Sequence, residues 1–81
     1  MRQIEVLGPG CDNCRMLEKN VREAVMMAGV QADIRHVTDG REIAARGALR
    51  TPGLVIDGRL VSAGRIPSAG DIALWLEDSP A

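Results

Sequence analysis

Glycine and proline cut this chain at short, regular intervals. They stand at Gly8-Pro9-Gly10, Gly29, Gly40, Gly47, Pro52-Gly53, Gly58 and Gly64, and these two residue types are the strongest local stops for helices and strands. The chain must therefore be assembled from short elements. Its 81 residues lie near the lower limit for a domain that folds on its own core. Residues 1–81 read as one domain, with no internal repeat, low-complexity tract or linker. No apolar run approaches the roughly 18 residues of a membrane span.

Between these stops the side-chain period identifies each segment. Arg2 to Leu7 (RQIEVL) is rich in branched residues and predicts a strand. From Asp12 to Ala28, the apolar positions Cys14, Leu17, Val21, Ala24, Val25 and Ala28 recur every three or four residues. Arg15, Glu18, Lys19, Arg22 and Glu23 fall opposite, which predicts an amphipathic helix stopped by Gly29. Val30 to Val37 alternates as a half-exposed edge strand would. Asp39 opens a short helix, with Glu42 in capping-box spacing and Gly47 near its end.

Two further strands, Gly53 to Ile56 and Arg59 to Ser62, flank Asp57-Gly58, a dipeptide suited to a type I′ hairpin turn. Ser68 and Asp71 start a last helix, whose Ile72, Trp75 and Leu76 share one face. The order is βαβαββα, an α/β chain with a four-stranded mixed sheet. A right-handed crossover should make the first two strands parallel, and the hairpin should be antiparallel. The central strands show little polar alternation, so helices are expected on both faces.

Charge excludes some functions. Ten basic residues stand against eleven acidic ones, for a formal net charge of −1. A nucleic-acid binder would usually carry a basic surplus. Nine of the ten basic residues are arginines scattered from Arg2 to Arg65, which reads as a solvated surface. With no Phe or Tyr and one Trp, Trp75, the chain offers no stacking platform for bases. Met1 to Val6 lacks the basic-then-apolar profile of a signal peptide. Two cysteines are too few for a secreted disulfide scaffold. The expectation is a cytoplasmic monomer with neither a nucleic-acid nor a membrane partner.

Both cysteines lie in one stretch, GPGCDNC, from Gly8 to Cys14. Cys-x-x-Cys admits three readings: a redox couple, part of a metal site, or two small buried hydrophobes. The predicted helix begins at about Cys11 or Asp12, so unpaired backbone N–H groups and the positive end of the helix dipole favour the Cys11 thiolate. Cys14, one turn on, falls on the apolar stripe. Positions three apart on a helix have Cβ atoms about 5–6 Å apart, and a disulfide wants ~3.8 Å. The pair could therefore open and close with a modest adjustment.

A structural zinc site generally takes four protein ligands, and this chain has two cysteines and the single His36, which reads as an ordinary strand residue. Copper(I) could still accept two thiolates, although small copper carriers run βαββαβ rather than βαβαββα. Against simple burial, Cys11 falls in a Gly/Pro loop that should lie at the surface.

Thr51-Pro52 stands directly before the apolar Gly53-Leu54-Val55-Ile56 run. Taken alone this is an ordinary trans proline entering a strand. Together, Gly8-Pro9-Gly10-Cys11-Asp12-Asn13-Cys14, Pro52-Gly53-Leu54, Asp57-Gly58 and Gly64-Arg65 resemble the small redox-active disulfide proteins of the thioredoxin-like fold, in the right order from about Ile4 to Leu76.

The resemblance implies that Cys11 is the attacking thiol, Cys14 the resolving thiol, and Pro52 a cis proline facing them. It implies that Thr51 offers its backbone to an extended substrate and that Gly64 leaves room for it. Asp12 and Asn13 replace the Gly-Pro of thioredoxins proper and are expected to tune the couple. Glu5, six residues before Cys11, matches by count a buried proton acceptor of thioredoxins, and reads equally as a strand residue reaching solvent. The expected activity is dithiol–disulfide exchange on protein disulfides, served by an unidentified electron donor. No cofactor or metal is expected beyond a Cys11–Cys14 disulfide, and a copper(I) carrier using the same sulfurs is the alternative.

Overall fold

The computed structural model of the chain describes residues 1–10 and 12–78. Seven elements follow in order: β1 (Arg2–Leu7), α1 (Asp12–Ala28), β2 (Ala32–Val37), α2 (Gly40–Ala45), β3 (Gly53–Ile56), β4 (Arg59–Ala63) and α3 (Ala69–Asp78). The four strands form one sheet in the order β2-β1-β3-β4. β1 and β2 are parallel, with Arg2 opposite Ala32 and Leu7 opposite Val37. β3 runs antiparallel to both β1 and β4. The expected α/β class and mixed sheet are therefore present.

Side-chain alternation along β1 divides the core in two. Ile4 and Val6 face α1 and α3, where they meet Leu17, Val21, Ala24, Ile72 and Leu76. Leu7 turns to the other face and packs with Val37, Ile43, Ala48 and Val55 under α2. Helices thus cover both faces, as the apolar central strands require. Burying a leucine, isoleucine or valine fully stabilises by roughly 1.5–3 kcal/mol. Truncation of Leu17 to alanine, at the centre of the larger cluster, would cost about 2–5 kcal/mol.

The ends of the elements follow from backbone chemistry. Gly29 adopts φ +67°, and the N–H groups of Gly29 and Val30 both return to the Val25 carbonyl, at 3.0 and 3.4 Å. The Val30 donor is thereby committed to the helix end, and β2 starts at Ala32 rather than at the expected Val30. Asp39 caps α2 by accepting from the N–H of Arg41 at 2.7 Å and of Glu42 at 3.4 Å. Asp57 and Gly58 take φ +51° and +81°, the pair of positive values that a type I′ turn demands. β4 runs one residue past the expected Ser62, to Ala63.

The arginines are not all surface residues. Arg2 is buried, 5% exposed, because its position on the α1/α3 face of β1 points it at the end of α3. Its Nε donates to Asp57 Oδ2 at 2.6 Å and its Nη1 to the Leu76 carbonyl at 2.8 Å. Asp57 Oδ1 in turn accepts from the Gln3 N–H at 2.9 Å. One side chain therefore ties the start of β1 to the hairpin turn and to α3. Reading every arginine as solvated surface is corrected at this position.

Candidate active site

Parallel pairing of β1 and β2, with β3 reversed between β1 and β4, brings four chain segments to one end of the sheet. They are the exit of β1 at Gly8, the exit of β2 at His36-Val37, the entry to β3 at Thr51-Pro52 and the exit of β4 at Gly64. The sheet pairing continues past the strands: the Gly8 N–H donates to the Val37 carbonyl, and the Gly64 N–H to the Pro52 carbonyl, both at 2.9 Å. The Thr51-Pro52 peptide bond is cis. Pro52 is buried, whereas Thr51 and Gly64 are exposed.

Cys14 enters this cluster from the first full turn of α1. It shares the apolar stripe with Leu17, Val21 and Ala24 and has no exposed surface. Gly8 lies against it: a Cβ at position 8 would collide with Cys14 Sγ and stand 3.7 Å from Thr51 Cβ. Position 8 therefore has to be glycine for the Cys14 sulfur and Thr51 to close around it. Of the candidate residues, Cys14, Thr51, Pro52 and Gly64 are brought to this end of the sheet. Cys11 lies outside the described residues. Asp12 and Asn13 open α1 and are exposed.

Glu5 is elsewhere. Alternation along β1 turns it away from α1 and onto the α2 face, where Arg46 holds its carboxylate with two hydrogen bonds, Nε to Oε1 at 2.6 Å and Nη2 to Oε2 at 2.8 Å. The Arg46 guanidinium keeps the Glu5 carboxyl below its ordinary range, outweighing the opposing effect of burial. The match to a proton acceptor by count is thus not a match in geometry. A strand residue at this parity faces away from the cysteine-bearing helix.

His36, read from the chain as an ordinary strand residue, stands at the same end of the sheet as Cys14. Its Cε1 lies 3.9 Å from the point that a Cβ on Gly10 would occupy, so the imidazole borders the loop of the cysteine motif. The signal was in the topology: in a parallel βαβ unit both strands end at the same edge, so the last residues of β2 flank the loop that follows β1. Among the described residues, no group of three or more His, Cys, Asp and Glu side chains is placed to hold a metal ion. Also among them, no helix is long and apolar enough to cross a membrane.

Comparison with known proteins agrees with this arrangement. Residues 2–77 match the family model described as a thioredoxin domain. A thioredoxin of Methanothermobacter thermautotrophicus is 42% identical over 72 residues, covering 89% of this chain and 94% of the relative. A thioredoxin of Methanocaldococcus jannaschii is 41% identical over 69 residues, covering 85% of this chain and 79% of the relative.

Proposed function

This chain belongs to the thioredoxin-domain family of thiol–disulfide oxidoreductases, and we propose that it reduces protein disulfides through Cys11 and Cys14. The observation that carries this reading is the placement of Cys14. Its sulfur is fully buried beneath Gly8 and beside Thr51, so an external disulfide cannot reach it, yet its position three residues after Cys11 suits an internal attack.

Cys11 directly precedes the first residue of α1, and the N-terminal end of a helix favours a thiolate. In the proposed cycle the Cys11 thiolate attacks one sulfur of the substrate disulfide. One substrate thiolate leaves, and a mixed disulfide forms. The Cys14 thiolate then attacks the Cys11 sulfur, which breaks the mixed bond and releases the second substrate thiolate. Two electrons have passed to the substrate, and a Cys11–Cys14 disulfide remains for a dithiol donor to reduce. During the encounter the exposed backbone of Thr51 pairs with the extended substrate segment, and Gly64 leaves room for it. Asp12 puts a negative charge beside Cys11 and opposes its thiolate, whereas Arg15 favours it.

The direct test is reduction of a protein disulfide with dithiothreitol as donor, comparing the parent chain with Cys11→Ser and Cys14→Ser. Catalysed reduction lost in both variants supports the reading. A purified protein that holds stoichiometric copper(I) on both thiols and fails to accelerate reduction would favour the carrier instead.

A further inference from the structure

Four arginines are held in ion pairs within the fold: Arg2 with Asp57, Arg22 with Glu18, Arg35 with Asp33 and Arg46 with Glu5. The other five, Arg15, Arg41, Arg50, Arg59 and Arg65, have no such carboxylate among the described residues and are exposed. Two of them, Arg50 and Arg65, flank the site. Their positions are not random. Arg50 directly precedes Thr51 and Arg65 directly follows Gly64, so the two bracket the hydrogen bond from Gly64 to Pro52. The Arg50 stem lies over Gly64, its Cβ and Cδ 3.0 and 3.2 Å from where a Cβ on Gly64 would stand. Glycine at 64 lets that arginine lie flat at the mouth of the site.

From Gly64 an open groove of about 670 Å³ runs between β4 and α3. Arg65 stands at its near end, Val61, Ile66 and Trp75 form apolar wall, and Asp71 lies on the α3 side. β4 is an edge of the sheet, and an edge strand can take up an extended chain by backbone pairing. The groove is thus continuous with the place where Thr51 and Gly64 would meet a substrate.

We propose that this groove binds the segment flanking the substrate cysteine, and that the segment preferred is extended and acidic beside the cysteine, with an apolar residue further on. The carboxylate meets Arg50 and Arg65 at the mouth. The apolar side chain, on the same face of the extended segment, packs on Trp75 and Ile66. Asp71, in the first turn of α3, faces the mouth from the helix side of the groove and repels an acidic residue there. The negative position is thereby confined to the β4 side, beside Arg50 and Arg65. With a net charge of −1 the whole molecule does not steer anions, so the preference comes from these two arginines and falls with added salt. The inference rests on the substrate surface assigned above but not on turnover.

Trp75 is the chain's one aromatic side chain besides His36, so its fluorescence reads the groove directly. The full reduced chain is titrated with short synthetic peptides that carry serine in place of the cysteine and differ only beside it, as Asp, Asn or Lys. The Asp peptide should shift the Trp75 emission and bind about two- to tenfold more tightly than the Asn peptide, the range of one or two exposed ion pairs. That ratio should fall towards one in raised salt and in the Arg50→Gln, Arg65→Gln double variant. The disulfide forms of the same peptides should show the same ratio in their reduction rates. Equal affinities, a ratio that survives the double variant, or a charge preference that leaves Trp75 unmoved would each overturn the proposal. Charge-selective binding with no reduction of any disulfide would uphold it and sink the redox reading; reduction without charge preference would do the reverse.

Discussion

Gly8 packs so closely on the sulfur of Cys14 that no side chain fits between them. Replacing Gly8 with alanine must push the Cys14 side chain, or the loop after β1, out of place. Overpacking of a filled site usually costs about 1–3 kcal/mol, and the urea midpoint should fall accordingly. Gly40→Ala is the control: no atom lies within 4 Å of a Cβ there, and it opens α2. That change should be neutral or stabilise by about 0.4–1 kcal/mol. Equal midpoints for the two variants would show that the loop yields freely and that glycine at 8 has no packing role.

The burial of Cys14 predicts an unequal pair of thiols. With none of its surface exposed, Cys14 in the reduced native protein should react with iodoacetamide only as fast as the structure opens. Cys11 should label first, and the gap should close in denaturant. Cys14→Ser should accumulate mixed disulfides through Cys11, since nothing resolves them, while Cys11→Ser should trap little. Equal native labelling rates would remove the division between attacking and resolving thiols.

What could be read from the chain were features with a local cause. The spacing of Cys14, Leu17, Val21 and Ala24 defines α1 to its last residue because a helix repeats every few positions. Asp57-Gly58 marks the hairpin because few dipeptides tolerate two positive φ values. Long-range partners left no such trace. Arg2 meets Asp57 across 55 positions, and Arg46 meets Glu5 across 41. His36 reaches the Gly10 loop only because β2 is parallel to β1. The count from Glu5 to Cys11 pointed towards the site, yet the parity of β1 turned the carboxylate to the opposite face.

That parity makes Glu5 separable from the chemistry. Glu5→Gln removes the charge that Arg46 grips with two hydrogen bonds, so the urea midpoint at neutral pH should drop. The pH profile of disulfide reduction should stay where it is, because the carboxylate is held ionised by Arg46 on the face away from Cys14. A displaced profile in Glu5→Gln would mean that the carboxylate reaches the thiols during turnover and would restore it as a proton acceptor.

Acid sensitivity should arise at Asp57. The Gln3 N–H, and then Arg2, hold its carboxyl below the ordinary aspartate value against a smaller opposing effect of burial. Well above that value Asp57 is ionised in folded and unfolded chains alike, and its contribution to stability is complete. As the pH falls through the ordinary carboxylate range, the unfolded chain takes up the proton first, and the contribution is lost until the folded form is protonated too. Asp57→Asn keeps a residue that tolerates the positive φ but removes the charge facing buried Arg2. The variant should be less stable at neutral pH by about 1 kcal/mol, the usual worth of one intramolecular hydrogen bond. Its urea midpoint should also fall less steeply than the parent's below about pH 4. Parallel midpoint curves for the two proteins across that range would place the acid-labile contact elsewhere, with the Glu5–Arg46 pair the next to substitute.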